Sequence, residues 1–244
     1  MNKLSPQLRE ITEVVLNFCF PPLCLRCNKS VTNRKTMICN DCLSELKPFS
    51  AELRVKFMER MPEAHFDDLF IAYEYNTQIQ FMLHQLKYNG FYSMGSLLAD
   101  GFEKALEKKS VDLITCVPLH KAKRRERGYN QSAEIAFALG KKFSIPFKED
   151  VLLRTKYTSS QTRLSREERQ HNVKDVFKVN RDVEGMKIIL VDDVITTGAT
   201  VNACALQLKE HKCERVAVFA AATPVDILQE KLEREVSEKN SVFI

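Results

Sequence analysis

Tryptophan is absent from the 244-residue sequence, so apolar packing and ring stacking fall to 15 Phe and 6 Tyr. No apolar run is long enough to cross a bilayer. The longest, Val14–Leu25, is broken by Asn17 and by the Pro21–Pro22 pair. The opening stretch does not read as a signal peptide, because Arg9, Glu10 and Glu13 interrupt any apolar region and no small-residue cleavage site follows. These absences predict a cytoplasmic protein with reduced thiols and no membrane span. Internal repeats are lacking. Low complexity is confined to a charged tail, Gln229–Asn240, which reads as an exposed helix. The GxxxxGK[ST] loop of nucleotide-binding proteins is also missing. Charge is nearly balanced: a net +5 is compatible with phosphate or nucleic acid as partner and does not choose between them.

What is present fits a soluble globular protein, with 44% hydrophobic and 28% charged residues. The length allows one α/β domain plus a small accessory module. The expected division is 1–48 for an N-terminal helix with a cysteine-rich module, 49–68 for a charged, poorly patterned linker, and 69–244 for the larger domain. Leu8, Ile11, Val15 and Phe18 recur at helical spacing over Pro6–Phe18. In the larger domain, Leu69–Tyr75, Val111–Leu119, Lys187–Val191 and Arg215–Ala222 read as strands. Between them, Thr77–Leu86, Ser93–Lys108, Ser132–Phe143 and Ala199–Lys209 read as helices. Alternation of this kind implies a parallel sheet covered on both faces.

Five of the eight cysteines lie within the first 42 residues. Four of them form two knuckles, Cys24-x2-Cys27 and Cys39-x2-Cys42, with eleven residues between. Paired CxxC knuckles supply four thiolates that close a tetrahedral shell around one cation. Coordination then substitutes for a core that so short a segment cannot build. Zinc suits this donor set, and the spacing alone leaves an iron–sulfur cluster open. A short hairpin is expected between the knuckles. Asn28 stands after the first knuckle, where a left-handed backbone is wanted and Asn tolerates it. Cys19, Cys116, Cys204 and Cys213 read as small core residues.

The strand Lys187–Val191 runs into Asp192, Asp193, Val194, Ile195, Thr196, Thr197, Gly198, Ala199 and Thr200. Two adjacent carboxylates thus stand at the carboxyl edge of a buried strand, where open α/β sheets bind ligands. The Thr- and Gly-rich turn then opens a helix, whose free N–H groups and dipole suit a phosphate monoester. Gly198 permits close backbone approach, and Thr196, Thr197 and Thr200 add hydroxyl donors. Asp192 and Asp193 are acceptors for a vicinal diol. A sugar 5′-phosphate with free 2′,3′-hydroxyls fits the whole.

Two basic segments accompany this loop. Val117–His120 ends a strand; Lys121, Lys123, Arg124, Arg125 and Arg127 follow, then Gly128-Tyr129-Asn130-Gln131-Ser132 and a helix, with Ser132 as the expected N-cap. A basic loop at this edge can hold pyrophosphate. Arg154–Val173, which includes Arg163 and Arg169, is polar, basic and placed between two strands. Its composition suits a mobile lid that brings cations to a developing charge. His84, Lys87, Tyr88 and Gly90 form a further marked stretch. It could contact an acceptor base or simply cap a helix.

Ile188–Thr200 resembles the signature of type I phosphoribosyltransferases: an apolar run, two acidic residues, then TTGxT. The forms RxRGYNQS and RxxxTxxQTxLxxxxRxxNV resemble those of the ComF/GntX family, as does LHQLKYNG. That family joins a four-cysteine zinc module to a type I phosphoribosyltransferase-like domain. The resemblance covers nearly the whole chain. It implies phosphoribosyl pyrophosphate (PRPP) as ligand, with Asp192 and Asp193 on the ribose hydroxyls and Thr196–Thr200 on the 5′-phosphate. Arg124, Arg125, Arg127, Arg154, Arg163 and Arg169 become candidates for the pyrophosphate, with Mg²⁺ held mainly by the donor's own oxygens. It also implies a part in natural transformation, in the handling of incoming single-stranded DNA with competence-machinery proteins. Two functions follow: an active phosphoribosyltransferase on an unidentified acceptor, or a binding and adaptor module on an inherited transferase scaffold.

Overall fold

The computed structural model describes residues 21–31, 37–61, 63–106, 110–155 and 176–225. The chain divides into two compact units, Met1–Leu46 and Lys47–Ile244. The expected helix Pro6–Phe18, Cys19, most of the lid segment and the charged tail lie outside the described residues.

In the first unit, the first knuckle sits in a short hairpin. Leu23 bridges Ser30 antiparallel, and Val31 N donates to Pro22 O at 2.9 Å. Asn28 adopts φ 60°, as its place after the knuckle requires. The second knuckle opens helix α1, Asn40–Ser44. Among the described residues the buried hydrophobic side chains of this unit are Cys24, Val31, Ile38 and Cys42.

The second unit is built on four parallel strands: β1 Asp68–Glu74, β2 Leu113–Cys116, β5 Lys187–Val194 and β6 Arg215–Thr223, in the order β1-β6-β5-β2. A two-stranded antiparallel ribbon, β3 Leu152–Arg154 and β4 Phe177–Val179, stands apart from the sheet. Three-residue strands are too short for alternation to reveal them. Both sheet edges are covered, which removes templates for unwanted pairing. Lys47–Phe49 lies along β1, with Glu74 N donating to Lys47 O at 2.9 Å and Phe49 N to Ala72 O at 3.0 Å. On the other side, Ile114 N donates to Pro146 O at 2.8 Å and Lys148 N to Ile114 O at 3.0 Å.

Strand alternation sends Ile188 and Leu190 to one face and Ile189 and Val191 to the other. On the first face they pack with Cys204, Ala205 and Leu208 of helix α8, Ala199–Glu210, and with Phe177 and Val179 of the ribbon. On the second face lie α3, Thr77–Tyr88, α4, Ser93–Asp100, and α7, Gln131–Phe143. Cys116, Cys204 and Cys213 are buried core residues.

Three expectations are corrected. The stretch 49–68 is no linker: it carries helix α2, Ala51–Glu59, capped by Ser50 Oγ accepting from Leu53 N at 3.2 Å. Phe57 is buried in the core, with Leu53, Met58 and Met61 packed against the same cluster. The interleaved Glu52, Arg54, Lys56 and Glu59 hide that apolar spacing. Next, the helix expected over Ser93–Lys108 ends at Asp100, and a short α5, Glu103–Leu106, follows. At the break, a Cβ on Gly101 would lie 2.6 Å from Ala72 Cβ, so glycine allows the chain to approach β1. Finally, the basic loop after β2 is helix α6, Lys121–Arg127. His120 Nδ1 accepts from Ala122 N at 3.1 Å at its start, and Gly128 closes it at φ 82°.

Candidate functional site

Asp192 and Asp193 stand at the carboxyl end of β5, both nearly buried. Asp192 Oδ1 accepts from Ser132 Oγ at 3.0 Å and from Asp193 N at 2.9 Å. Burial, and then the charge of Asp193, push the Asp192 carboxyl well above the ordinary carboxylate range, with these hydrogen bonds opposing. Asp193 Oδ2 forms an ion pair with Lys87 Nζ from the last turn of α3. The two carboxylates therefore differ in kind. One is hydrogen-bonded and resists ionisation; the other has a cation beside it.

The turn that follows is anchored at its start. Ile195 N donates to Ala222 O at 3.0 Å, and Thr223 Oγ1 donates to Ile195 O at 2.6 Å. Thr196 and Thr197 are exposed, Gly198 is buried at φ 75° as the N-cap of α8, and Ala199 and Thr200 are exposed. The first N–H groups of α8 thus open on the same edge as the carboxylates, without intrahelical partners. Met61 sits against Gly198, where any Cβ would overlap its Sδ and Cε. Asn202 ties the chain beyond Met61 to the first turn of α8: His65 N donates to its Oδ1 at 2.7 Å, and its Nδ2 donates to Glu63 O at 3.1 Å.

The Arg127–Ser132 segment bridges α3 to the strand ends. Arg127 donates to Gln131 Oε1 at 2.9 Å and to Tyr88 Oη at 3.3 Å, and its guanidinium lies 5.1 Å from the centre of the Tyr88 ring. Tyr129 Oη donates to Leu86 O. Asn130 Nδ2 donates to Val117 O at 3.0 Å, while its Oδ1 accepts from Ser132 N at 3.2 Å. Asn130 is therefore the N-cap of α7, which frees the Ser132 hydroxyl, expected to cap, for Asp192.

The candidate arginines are not equivalent. Arg124 makes a bidentate pair with Glu149, at 2.7 and 3.1 Å. Arg127 is held as above, and Arg125 makes no hydrogen bond or ion pair among the described residues. Arg154 ends β3 with its guanidinium 5.7 Å from the centre of the Phe177 ring. Arg163 and Arg169 lie outside the described residues. The ribbon brings the two ends of their segment together, with Thr155 N donating to Val176 O at 2.8 Å.

In the N-terminal unit, the sulfurs of Cys24, Cys27, Cys39 and Cys42 all lie within 4.8 Å of one another. Cys24 and Cys42 are 3.8 Å apart, and Cys27 and Cys39 are 3.5 Å apart. A tetrahedral shell with metal–sulfur bonds of about 2.3 Å sets sulfurs about 3.8 Å apart, so the cluster fits one ion. Burial opposes the Cys24 thiolate, yet the backbone N–H groups of Cys39, Cys27 and Arg26 outweigh it and bring the thiol down to about 6.

Residues 130–242 match the phosphoribosyl transferase domain family. Over 228 residues the chain is 25% identical to Competence protein F of Haemophilus influenzae, covering 85% of this chain and 99% of that protein. It is 30% identical to Competence protein ComFC of Bacillus subtilis over 152 residues, 61% of each chain. It is 26% identical to DNA utilization protein YhgH of Escherichia coli O157:H7 over 204 residues, 81% of this chain and 82% of that one. The chain is thus similar to the competence and DNA-utilization proteins of the ComF family. Its fold is the type I phosphoribosyltransferase-like sheet, with a four-cysteine cluster near the N-terminus. Among solved structures, B. subtilis glutamine phosphoribosylpyrophosphate amidotransferase is similar at 22% identity and a TM-score of 0.39, and the match spans 59% of this chain and only 27% of that one.

At this site, sequence reading missed Met61 and Asn202 and left Lys87 without a role. Lys87 stood in a marked stretch, but nothing local ties it to Asp193. Asn202, one turn into α8, carried a readable signal as a polar residue on the loop's own helix. Met61 carried none, because the segment around it read as a linker. No helix among the described residues is long and apolar enough to cross a membrane.

Proposed function

We propose that this ComF-family chain binds a ribose 5-phosphate group, with PRPP as the natural ligand, at Asp192–Thr200. One arrangement carries the reading. Two unlike carboxylates stand beside a turn whose buried Gly198 and exposed Thr196, Thr197 and Thr200 open the N-terminus of the twelve-residue α8. Asp192 and Asp193 take the ribose hydroxyls. Thr196, Thr197, Gly198, Ala199 and Thr200 hold the 5′-phosphate through hydroxyls, N–H groups and the helix dipole. Arg125, whose side chain has no partner among the described residues, is a cation of α6 for a pyrophosphate; Arg124 and Arg127 must first exchange Glu149 and Tyr88. Mg²⁺ accompanies the ligand on its own oxygens. The four thiolates hold a structural zinc ion. Relatives named for competence and DNA utilization support a cellular role in natural transformation, in handling single-stranded DNA.

The test is the thermal midpoint of the native chain with PRPP and Mg²⁺. At one hundred times the dissociation constant, linkage predicts about 2.7 kcal/mol of stabilisation. Asp192→Ala with Asp193→Ala should abolish the shift. No shift at millimolar PRPP defeats the reading.

The second reading is catalysis, and the ribbon that brings Thr155 and Val176, on either side of the basic segment, together favours it. An acceptor's lone pair would form the new bond at the anomeric carbon while the bond to pyrophosphate breaks and pyrophosphate leaves with the electron pair. PRPP-dependent pyrophosphate release across a panel of bases and amines tests it; release no faster than without protein would leave a binding protein.

A further inference from the structure

A cavity of about 210 Å³ opens at the amino end of the sheet, at the opposite end of the strands from the phosphate turn. Lys187 begins β5, and Asp192 stands five residues along it, about 16 Å away at the rise of a strand. Strand register explains the hollow. Lys187 is the register partner of Arg215 on β6. In the next row of the same face Ile189 partners Ala217, which partners Asp68 of β1 on its other side. Ala217 is the small member of that row and leaves room between its neighbours. Phe219 bounds the hollow one row further on. Its ring is buried and packs on Phe70 at 4.9 Å and on Phe102 at 5.0 Å.

The rim carries both signs of charge. Arg215 donates to Asp68 Oδ2 from Nε at 3.1 Å and from Nη2 at 2.7 Å. Lys187 and Glu214 form a looser pair at 3.4 Å. All four side chains keep contact with solvent. A plain anion would find each cation already partnered, and a plain cation would find each carboxylate so. A zwitterion entering the loose pair leaves no charge over: its carboxylate takes Lys187 while its ammonium takes Glu214. Size narrows the class further. A cavity of about 150 Å³ holds benzene, and drug-sized ligands fill about 300–1,000 Å³. The space at Ala217 therefore suits one ring or one branched chain with a small polar head.

We propose that this cavity binds an apolar α-amino acid the size of leucine or phenylalanine. Its side chain lies over Ile189, Ala217 and Phe219, and its ammonium and carboxylate part the Lys187–Glu214 pair. The site is separate from the ribose-phosphate reading and does not rest on it.

Calorimetric titration of the full chain with leucine and phenylalanine tests it, beside glycine, isocaproate and isoamylamine, which lack in turn the apolar side chain, the ammonium and the carboxylate. Leucine or phenylalanine should bind at least about tenfold more tightly than all three. Lys187→Gln and Glu214→Gln should each weaken that binding about tenfold, the scale of one charge-assisted hydrogen bond. Ala217→Leu fills the hollow and should abolish it. The two glutamine variants lie on the solvent-facing rim, so they decide the matter even if Ala217→Leu fails to fold. No binding of leucine or phenylalanine at millimolar concentration overturns the site. Glycine binding as tightly overturns the apolar floor, and isocaproate or isoamylamine binding as tightly overturns the zwitterion. Unchanged affinity in both glutamine variants places the ligand elsewhere and overturns the proposal. Whether PRPP binds has no bearing on any of these outcomes.

Discussion

Lys87, in the last turn of α3, forms an ion pair with Asp193 at the end of β5, with side chains 23% and 10% exposed. It places a cation beside two adjacent carboxylates at one sheet edge. Lys87→Met keeps the aliphatic stem and removes the charge, leaving Asp193 beside Asp192 uncompensated. Breaking such a partly buried pair should cost about 2 kcal/mol at neutral pH. The loss should shrink in mild acid, because protonation of the already reluctant Asp192 relieves the repulsion. Thermal midpoints of both proteins between pH 5 and pH 8 check this, and a loss that is the same at every pH would show that Lys87 matters only for packing.

Asp192 itself should be a stability cost. Its folded pKa lies above the unfolded value, so the folded state holds its proton more tightly. That contribution is complete below the unfolded pKa and is lost as pH rises through the folded one. Asp192→Asn cannot ionise and keeps an oxygen to accept from Ser132 and from the Asp193 N–H. The variant should melt about 2–4 °C higher at pH 8, with the difference fading toward acid. It should also bind PRPP more weakly, the usual opposition of stability and function at a site. An Asp192→Asn midpoint below that of the parent at pH 8 would refute the assignment.

These two predictions mark where sequence reading succeeds and where it stops. Strand β5, the carboxylate pair, the TTGAT turn and the paired CxxC knuckles were legible because each is a local pattern: an apolar run, a fixed spacing, a turn residue. Asn28 at φ 60° was anticipated on the same local grounds. What was hidden is non-local or diluted. Nothing near Lys87 announces Asp193. Helix α2 was masked because charges interrupt Leu53, Phe57 and Met61. The six-residue span from Arg127 to Ser132 was recognised as a motif, yet only the fold shows that Asn130 caps α7 and that Ser132 is thereby released to Asp192.

Gly198 carries two separate constraints, and a double-mutant cycle should resolve them. Its φ of 75° disfavours any side chain, and a Cβ would overlap Met61. Gly198→Ala should destabilise the protein by about 2–3 kcal/mol, from backbone strain and from overpacking together. Adding Met61→Ala should recover the overpacking part, so the two changes couple by about 1 kcal/mol in denaturant unfolding. Strict additivity would mean that Met61 yields freely and that the whole cost lies in the backbone.

The four-cysteine unit should stand or fall with its metal. Cys24, Val31, Ile38 and Cys42 are its buried side chains among the described residues, and two of these four are ligand candidates. Its surface ion pairs, Arg26–Glu45 and Lys29–Asp41, are exposed to solvent and add little. A metal held by the four thiolates would supply folding free energy there, as in small metal modules generally. The purified chain should carry about one zinc ion. A strong chelator, or Cys42→Ala, should abolish amide-exchange protection at Leu25, Asn28 and Val31, whose N–H groups donate to Met37 O, Cys24 O and Pro22 O. Protection of Ile189, Val191 and Val218 in the sheet should persist, because these residues are buried in the paired strands of the second unit. Full protection of Leu25, Asn28 and Val31 in a metal-free chain would show that the unit folds on side-chain packing alone.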